Sequence, residues 1–501
     1  MHVTLINPPA LIGRFNYSAF THPPLGLAYL AACLREKNHS VRVIDAVGEA
    51  ISRFELYPDS KRFLIQGLGV EDILDRIPPE SGLIGISCMF SHTWPLVREL
   101  LKRIKTALPH IPLIAGGEHP TAMYDTCLCQ APLDACVLGE GEETITEIIR
   151  ALETGHSLYE VNGIALVNPQ TGEIVKTAER RLIADLDALP APAWDIIPWK
   201  AYKFYDGPVQ STPFSILASR GCPHDCAFCS APAMWKSVWR KRSPENIIHE
   251  LTNNLPAQHI TDVLFRDISP FIDKRWIETL CLAIHDHHPG IRWQIPVGGR
   301  PEILDQTTAR LLVRSGCHHI QFAPESGSPA VLAAMNKRLD LNRFKHAVLA
   351  AGAAGMRISV LFIIGYPGET RKDIKATYRL IRWLARQNVD EIAVSSFALL
   401  PGTRIFNELV ASGSVKINDH FLYQTAGATA FTPSASWNPR MGKYPLFLYK
   451  WLGLIQFYGI AIVRRPQRLV RTIRNLARGI QETKTDRVLA EVITKLRRHS
   501  S

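Results

Sequence analysis

The apolar positions of the first 150 residues form short continuous runs separated by amphipathic stretches. The runs predict buried strands at residues 3–6, 41–44, 83–87, 112–115 and 135–138. Helices are predicted between them, at residues 24–34 and 95–108. Alternating strands and helices form a parallel sheet covered on both faces. The pattern therefore predicts a doubly wound α/β domain over residues 1–150.

A second alternation of strands and helices begins near residue 211. Its strands are predicted at residues 214–219, 262–267, 292–297, 319–324, 357–364 and 391–399. Six such units suit a partial (β/α)6 barrel over residues 211–405, with its chemistry at the carboxyl ends of the strands. Residues 151–210 are predicted to form a connector that contains a β-hairpin at 163–177 and a proline-rich stretch at 189–194.

Three cysteines follow the first barrel strand. Cys222, Cys226 and Cys229 have the spacing C-x3-C-x2-C, and a short loop of this kind can bind a single cubic iron–sulfur cluster through its thiolates. The alternatives are a zinc site or three unrelated buried thiols. Zinc would need a fourth ligand, and His224 inside the loop is badly placed to supply it. Closely spaced cysteines in a reducing compartment favour the cluster.

Composition and charge narrow the class of protein. A chain of 501 residues with 46% hydrophobic residues is expected to fold into two or three globular domains. Ten cysteines and an N-terminus without the regions of an export signal favour the cytoplasm. Residues 464–501 carry eleven Lys and Arg against three acidic residues, so this tail holds +8 of the +11 formal charge. A locally basic tail does not predict nucleic-acid binding by the body of the protein.

The cysteine loop resembles the signature of the radical S-adenosylmethionine (SAM) superfamily. Phe228, directly before the third cysteine, fits the aromatic residue that this family prefers there. The resemblance implies a 4Fe–4S cluster bound by the three cysteines. Its fourth iron would be chelated by the amino and carboxylate groups of SAM. It also implies an external electron donor of the flavodoxin or ferredoxin type.

The later strand ends extend this resemblance in the family's order. Asp267 stands where the family holds the SAM amine, and Arg300 would place a cation near the SAM carboxylate. Glu325 and Ser326 match a Glu-Ser pair that contacts SAM, and the backbone near Gly365 would flank the adenine. For Arg300, the alternative to a role as SAM ligand is a structural ion pair. Glu369-Thr370, in the same turn as Gly365, has the capping of the next helix as its alternative.

The N-terminal motifs resemble the cobalamin-binding domain of one radical SAM subclass. They are Asn-Pro-Pro, Pro-Leu-Gly-Leu, Gly-Gly-x-His-Pro and Gly-Glu-Gly-Glu, and their cofactor-binding candidates are Gly116, Gly117, Gly139 and Gly141. One departure concerns Asp45, which Val47 follows at the position of the familiar histidine. No histidine ligand to cobalt is therefore expected there. A dinucleotide fingerprint is not supported, and the alternative is a sheet without a cofactor.

The resemblance leads to three hypotheses for function. The first is a cobalamin-dependent radical SAM methyltransferase that acts on an unactivated carbon of a small molecule, for which a hydrophobic substrate is plausible. The second is a radical cyclase or oxidoreductase of the anaerobic magnesium-protoporphyrin ester cyclase type. The third, from another class, is a non-catalytic cobalamin or redox sensor. The intact cysteine triad argues against the third hypothesis.

Residues 406–501 are predicted to be helical and basic. The apolar run 451–463 has thirteen residues, which predicts that it is too short to span a bilayer. A basic amphipathic helix follows it and could lie on the anionic inner face of the membrane. The alternative is a helix that packs over the barrel opening with a solvated cationic side. The predicted location is therefore the cytoplasm, with peripheral membrane contact as a hypothesis.

Overall fold

The computed structural model describes residues 1–14, 16, 22–202, 213–258, 260, 262–300, 302–479 and 486. Residues 203–210 of the predicted connector lie outside this part of the chain. So does the basic tail beyond 479, apart from residue 486. The chain divides into two compact units. One comprises residues 1–202, 221–240 and 398–430, and the other the described parts of 203–220, 241–397 and 431–501.

The first unit contains a seven-stranded sheet with a parallel core. Its strands, in spatial order, are Ile174–Lys176, Ile164–Val167, Ala135–Val137, Leu113–Gly116, Leu83–Ser87, His2–Asn7 and Ser40–Asp45. The longer helices of this part of the chain are Leu25–Glu36, Trp94–Ala107, Glu118–Gln130 and Glu142–Thr154. The four central residues of the strand His2–Asn7 are all buried, as expected for a parallel strand covered on both faces.

The predicted hairpin is present, and it belongs to this sheet. Strand Ile164–Val167 pairs antiparallel with Ala135–Val137, and Ile174–Lys176 pairs antiparallel with Ile164–Val167. An unpaired edge strand would leave backbone groups without partners, and the hairpin satisfies them. A three-stranded antiparallel sheet that the sequence did not predict is formed by Ala10–Gly13, Phe63–Gln66 and Phe54–Leu56.

The second unit contains six parallel strands in sequential order. They are Phe214–Ile216, Asp262–Phe265, Arg292–Gly299, Cys317–Glu325, Arg357–Ile364 and Glu391–Ser396. The helices of these repeats are Pro244–Gln258, Lys274–His287, Gln306–Arg314, Leu341–Ala353 and Arg371–Arg386. Strand order that never reverses is typical of a barrel and not of a doubly wound sheet. The predicted fold class is confirmed, with strand ends shifted by a few residues.

The C-terminal region is helical as predicted. Its longer helices are Arg404–Ala411, Lys443–Arg464 and Gln467–Ala477. Lys443–Arg464 has 22 residues, so the prediction of an apolar segment too short to span a bilayer is wrong. The apolar run 451–463 is part of a longer helix because several apolar residues precede it. Among the described residues this helix alone has the length and composition of a membrane span, a test that core helices also pass.

One face of this long helix packs against the last repeat of the barrel. It contacts the strand Glu391–Ser396 and the helix Arg371–Arg386. The buried residues recur every three or four positions along it: Leu446, Lys450, Gly453, Phe457 and Ala461. A helix with this spacing presents one continuous side to its neighbours. The apolar helix therefore packs on the last repeat of the barrel. Packing of the following basic helix over the barrel opening stays a prediction.

Candidate functional site

The three cysteines lie in one loop of the first unit. Cys222, Cys226 and Cys229 are partly exposed and form no disulfide. The backbone N–H of Cys229 donates to the carbonyl of Cys226 at 3.1 Å. Gly221 begins the loop with φ +85°, and a Cβ on it would lie 2.0 Å from the carbonyl oxygen of Val238. Only glycine allows the chain to enter the loop this way.

The chemistry of these thiols fits a polynuclear cluster. Burial raises the pKa of the Cys229 thiol to about 12, and a thiol binds metal as the thiolate. No group of three or more His, Cys, Asp or Glu among the described residues has the arrangement of a single-ion site. The thiols of Cys222, Cys226 and Cys229 would be the ligands of an iron–sulfur cluster, which is held by cysteine thiolates. The zinc alternative gains no fourth ligand from the described residues.

Helices of the first unit hold this loop. Ser230 hydrogen-bonds to the carboxylate of Glu118, the first residue of the helix Glu118–Gln130. The short helix that follows, Ala231–Trp235, packs on the same helix. From the other side, the backbone N–H of Ile405 donates to the carbonyl of Ala227 at 3.1 Å. The loop is therefore anchored at points before and after its last cysteine.

Asp267, predicted to hold the SAM amine, is fully buried beside the start of the loop. Its carboxylate accepts from the hydroxyl of Ser219 at 2.5 Å and from the backbone N–H of Ala218 at 3.1 Å. Burial raises the pKa of Asp267 to about 6. These contacts occupy both carboxylate oxygens with the chain that leads to the cysteines. The contact with the SAM amine remains a prediction.

Arg300 follows the strand Arg292–Gly299 and forms the ion pair that was its alternative role. Its Nε and Nη2 donate to Glu302 Oε1 at 3.1 and 2.6 Å, and Nη2 also donates to the carbonyl of Arg338. The structural ion pair is therefore present. Nη1 is buried and has no partner among the described residues. A buried guanidinium nitrogen without an acceptor fits a negatively charged ligand such as a carboxylate.

Glu325 ends the strand Cys317–Glu325, and Ser326 follows it. The two side chains have different contacts. Glu325 has φ +64° and forms a buried ion pair of 2.8 Å with Lys337. A non-glycine residue with positive φ stores strain of the kind found at functional sites. Ser326 is fully buried, with its hydroxyl 3.1 Å from that of Thr377. Ser326 is engaged by the helix Arg371–Arg386, and its contact with SAM remains a prediction.

Gly365 begins the turn after the strand Arg357–Ile364. Its backbone N–H donates to Glu369 Oε2 at 2.5 Å, while Oε1 has no partner among the described residues. Burial raises the pKa of Glu369 to about 7. A Cβ on Gly365 would lie 2.7 Å from Leu446 of the long C-terminal helix. Close packing of this helix accounts for the glycine, and its place beside adenine remains a prediction.

The alternative role of Glu369-Thr370 is confirmed only for Thr370. Thr370 forms a capping box with Asp373 at the start of the helix Arg371–Arg386. Asn438, which the sequence did not single out, clamps the same turn. Its side-chain amide donates to the carbonyls of Tyr366 and Glu369 at 2.8 and 2.9 Å. In the sequence, only the neighbouring Pro439 indicated that this segment is a loop.

The four candidate glycines of the first unit lie where neighbouring parallel strands end. Gly116 ends the strand Leu113–Gly116 and Gly117 follows it, whereas Gly139 and Gly141 follow Ala135–Val137. Met89 and Phe90 follow the adjacent strand and are 47% and 65% exposed. Large exposed apolar side chains beside glycine turns fit a flat, largely apolar cofactor such as the corrin ring. The described residues thus fit the group that the motifs predict.

Asp45 is committed to contacts within the first unit. Its oxygens lie 2.8 Å from the hydroxyl of Tyr202, and Asn7 Nδ2 donates to it at 2.7 Å. Val47, at the position of the familiar histidine, is buried. Asp45 therefore anchors Tyr202. That no histidine from this position binds cobalt stays a prediction.

Two histidines of the same unit have lowered pKa values. Burial lowers the pKa of His119 to about 3 and that of His92 to about 4, so both imidazoles are neutral. His119 Nδ1 lies 3.0 Å from the hydroxyl of Ser91, and its Nε2 has no partner among the described residues. The motif Gly-Gly-x-His-Pro marked His119, but the sequence did not indicate its burial.

The long C-terminal helix brings a lysine into the second unit. Lys450 is 2% exposed, and burial lowers its pKa to about 8. It lies one helical turn after Leu446, which meets Gly365, and one before Gly453, which meets Val394 of the last strand. The apolar surroundings of residue 450 in the sequence gave no sign that its side chain faces the barrel.

Comparisons with known families match both predicted domains. The B12 binding domain matches residues 14–149, and the radical SAM superfamily matches residues 216–381. An uncharacterized methyltransferase of Pyrococcus horikoshii is 28% identical over 414 residues, 82% of this chain and 84% of that protein. The cytidylyl-2-hydroxyethylphosphonate methyltransferase of Streptomyces wedmorensis is 29% identical over 446 residues, 82% of each chain.

A relative with a different activity also matches. The anaerobic magnesium-protoporphyrin IX monomethyl ester cyclase of Rubrivivax gelatinosus is 26% identical over 415 residues, 82% of this chain and 70% of that protein. Among solved structures, the cobalamin-dependent SAM radical enzyme OxsB has a TM-score of 0.69 at 17% identity. The match covers 100% of this chain and 75% of that one. These comparisons confirm the predicted pair of domains and the two predicted classes of relative.

Proposed function

Because this chain belongs to the radical SAM superfamily and carries a B12-binding domain before its barrel, we propose that it is a cobalamin-dependent radical SAM C-methyltransferase. Its substrate would be a small molecule with an unactivated carbon. The observation that carries the proposal is the loop with three partly exposed, disulfide-free cysteines in a chain with both domains. Methyltransferases are among the relatives that span most of its length.

The cluster, cobalamin and the residues of this chain would each supply part of the reaction. When bound, the cluster supplies the electron that cleaves SAM to methionine and a 5′-deoxyadenosyl radical, and cobalamin supplies the transferred methyl group. The residues of this chain bind and orient these groups and exclude water from the radical. Cys222, Cys226 and Cys229 would bind three irons. Phe228, between two of these ligands, would shield the cluster from solvent.

The strand ends of the barrel would hold SAM. Nη1 of Arg300 is the nitrogen still available for its carboxylate. Glu325, fixed by Lys337, would place its carboxylate toward the charged end of SAM. Ser326 would also contact SAM, and Asp267 would hold its amine. The turn at Gly365 would flank the adenine. In the first unit, the backbone at Gly116, Gly117, Gly139 and Gly141 would approach cobalamin, with Met89 and Phe90 against the ring.

The test uses isotopically labelled methyl groups. A strain that carries the gene and a deletion strain are grown with methyl-deuterated methionine, and their metabolites are compared by mass spectrometry. We expect a product that carries the labelled methyl only in the parent strain. The reconstituted protein should also form 5′-deoxyadenosine from SAM under anaerobic reduction. A gene-dependent product without the labelled methyl would exclude methyl transfer.

A radical cyclase or oxidoreductase is the second candidate. It is favoured by the similarity to the Rubrivivax cyclase over most of this chain. Such an enzyme would form 5′-deoxyadenosine without incorporating the methyl group of SAM. The same labelling experiment separates the two: gene-dependent loss of hydrogen or gain of a ring, without label, would establish the cyclase. Both reactions need a one-electron reductant, and a flavodoxin or ferredoxin is the proposed donor.

We further propose that the protein is cytoplasmic and contacts the inner face of the membrane through its C-terminal helices. The long helix Lys443–Arg464 exposes a second apolar face opposite its packed face. The exposed side chains on this face are Tyr444, Leu448, Leu452, Ile455 and Ile462. Exposed Arg464, Arg474 and Arg478 flank the apolar surface. This combination suits an anionic bilayer surface.

Vesicle flotation tests the membrane contact. Leu448→Glu with Ile455→Glu should reduce binding to vesicles that contain anionic lipid. Leu282→Glu is the matched control, because Leu282 is 47% exposed on the barrel helix Lys274–His287. Equal partitioning of the wild type and the double variant would exclude this surface. Equal binding to neutral vesicles would exclude the role of the arginines.

A further inference from the structure

The segment that follows the cysteine loop ends at a buried ion pair with the turn after a strand of the N-terminal sheet. Nη1 of Arg240 lies 2.8 Å from Oε2 of Glu140, and the two side chains are only 8% and 2% exposed. Glu140 is the first glutamate of the Gly-Glu-Gly-Glu motif, directly after the strand Ala135–Val137. The pair thus joins the last residue of the segment 221–240 to a turn 100 residues earlier in the chain.

Backbone contacts reinforce this junction. The backbone N–H of Ile183 donates to the same oxygen of Glu140 at 2.8 Å, and Arg240 Nη1 donates to the carbonyl of Ile183 at 2.5 Å. The guanidinium of Arg240 also lies over the ring of Trp235, 5.8 Å from its centroid. Trp235 ends the short helix that follows the third cysteine. A Cβ on Gly221, which begins the loop, would lie 3.1 Å from the Cβ of Trp235. Arg240 therefore contacts a residue that packs against the start of the loop.

The junction depends strongly on Glu140. Nε and Nη2 of Arg240 have no hydrogen-bond partner among the described residues. Removal of the Glu140 charge would leave the buried guanidinium of Arg240 without its counter-charge. A buried charge without its partner is strongly destabilising. Arg240 would then have to move toward solvent, and the loop would move with it.

We propose that Glu140 is a positioning residue for the iron–sulfur cluster, acting through Arg240 on the loop that carries Cys222, Cys226 and Cys229. The inference rests on the proposed cluster site. It assigns to the first glutamate of the motif a role separate from the neighbouring glycines. Residues that orient metal ligands commonly affect metal retention by about 10- to 100-fold when they are changed.

A second buried ion pair provides a matched control. Arg242 and Glu250, in the other unit, lie 2.5 Å apart, and their side chains are also 8% and 2% exposed. Glu140→Gln and Glu250→Gln each remove one charge from an equally buried pair. Both variants of the reconstituted full-length protein are compared with the wild type. The measurements are iron loss to a chelator, the electron paramagnetic resonance spectrum of the reduced cluster, and thermal unfolding.

We expect Glu140→Gln to lose iron about 10- to 100-fold faster than the wild type and to give an altered spectrum. Glu250→Gln should lower the unfolding temperature similarly but keep the wild-type spectrum and iron retention. Equal cluster properties in Glu140→Gln and wild type would overturn the inference. So would an equal effect of Glu250→Gln on the cluster.

A conservative variant covers the case in which Glu140→Gln does not fold. Arg240→Lys keeps the positive charge opposite Glu140 but loses the fork that also reaches Ile183. It should retain more iron than Arg240→Gln and give a spectrum closer to the wild type. Identical cluster properties of these two variants would contradict the proposal. If the wild type itself binds no iron, the proposed function fails, which is distinct from failure of this inference.

Discussion

The carboxylate of Asp267 accepts a hydrogen bond of 2.5 Å from the hydroxyl of Ser219, three residues before the first cysteine of the loop. The same carboxylate accepts from the backbone N–H of Ala218 at 3.1 Å. A residue expected to contact SAM thus fixes the chain that leads into the cluster loop.

The Asp267 contact predicts a pH-dependent effect of Asp267→Asn. Burial raises the pKa of Asp267 from 3.8 to about 6. Above pH 6 the buried carboxylate of Asp267 is charged, which lowers the free energy of unfolding. This loss of stability decreases as the pH falls from 6 to 4. Over that range the wild type should gain about 2–3 kcal/mol of unfolding free energy relative to the variant. Urea unfolding of the cofactor-free proteins at pH 7, 6, 5 and 4 measures it.

Ser219→Ala is the companion variant for Asp267. It removes the hydroxyl donor but keeps the carboxylate, so it should lower the unfolding free energy by about 1–2 kcal/mol at pH 7. A difference between wild type and Asp267→Asn that does not change between pH 7 and 4 would contradict the assigned ionisation.

The cysteine triad predicts loss of iron from three single variants. Cys222→Ala, Cys226→Ala and Cys229→Ala should each abolish the 4Fe–4S absorbance after anaerobic reconstitution, because each removes one of only three protein ligands. Cys129→Ala is the control, since Cys129 is exposed and lies outside the loop. It should bind as much iron as the wild type. Iron binding by all three triad variants at the wild-type level would exclude this site.

The contact of Gly365 with the long C-terminal helix predicts coupling between two substitutions. Gly365→Ala should lower the unfolding free energy by about 1–3 kcal/mol, because its Cβ would lie 2.7 Å from Leu446 and φ is +84°. Leu446→Ala removes the clash but leaves a cavity, at a cost of about 2–5 kcal/mol.

The double variant Gly365→Ala/Leu446→Ala should therefore be less destabilised than the sum of the two single variants, by about 0.5 kcal/mol or more. Denaturant unfolding of all four proteins measures the coupling. Additive effects would show that the two residues do not share this contact in solution.

The buried lysine predicts a stability that rises at alkaline pH. Burial lowers the pKa of Lys450 from 10.5 to about 8, so the charged side chain destabilises the fold below pH 8. This cost decreases as the pH rises from 8 to 10.5. Lys450→Met, of similar shape, should be more stable than the wild type at pH 7 by about 1–3 kcal/mol.

The advantage of Lys450→Met over the wild type should shrink when unfolding is measured at pH 10. Lys443→Met, at the exposed start of the same helix, is the control and should show no such trend. A constant difference between Lys450→Met and wild type from pH 7 to 10 would contradict the lowered pKa.

Much of the fold followed from the order of apolar runs. Strands buried on both faces, such as His2–Asn7 and Leu83–Ser87, are recognisable because their central positions are mostly apolar. The small antiparallel sheet around Phe63–Gln66 was missed because its strands are short and mostly half-exposed or exposed. The length of the helix Lys443–Arg464 was underestimated because polar and proline residues interrupt its first turns.

The sequence by itself determined the cysteine triad, the two α/β repeats and the strand ends at which site residues collect, since these depend on local spacing and periodicity. Only the tertiary structure decided which partner each side chain meets. Asp267 holds Ser219, Gly365 admits Leu446, and Glu140 binds Arg240. These contacts join residues far apart in the chain, and the periodicity of one segment carries no information about the side chains that another segment places against it.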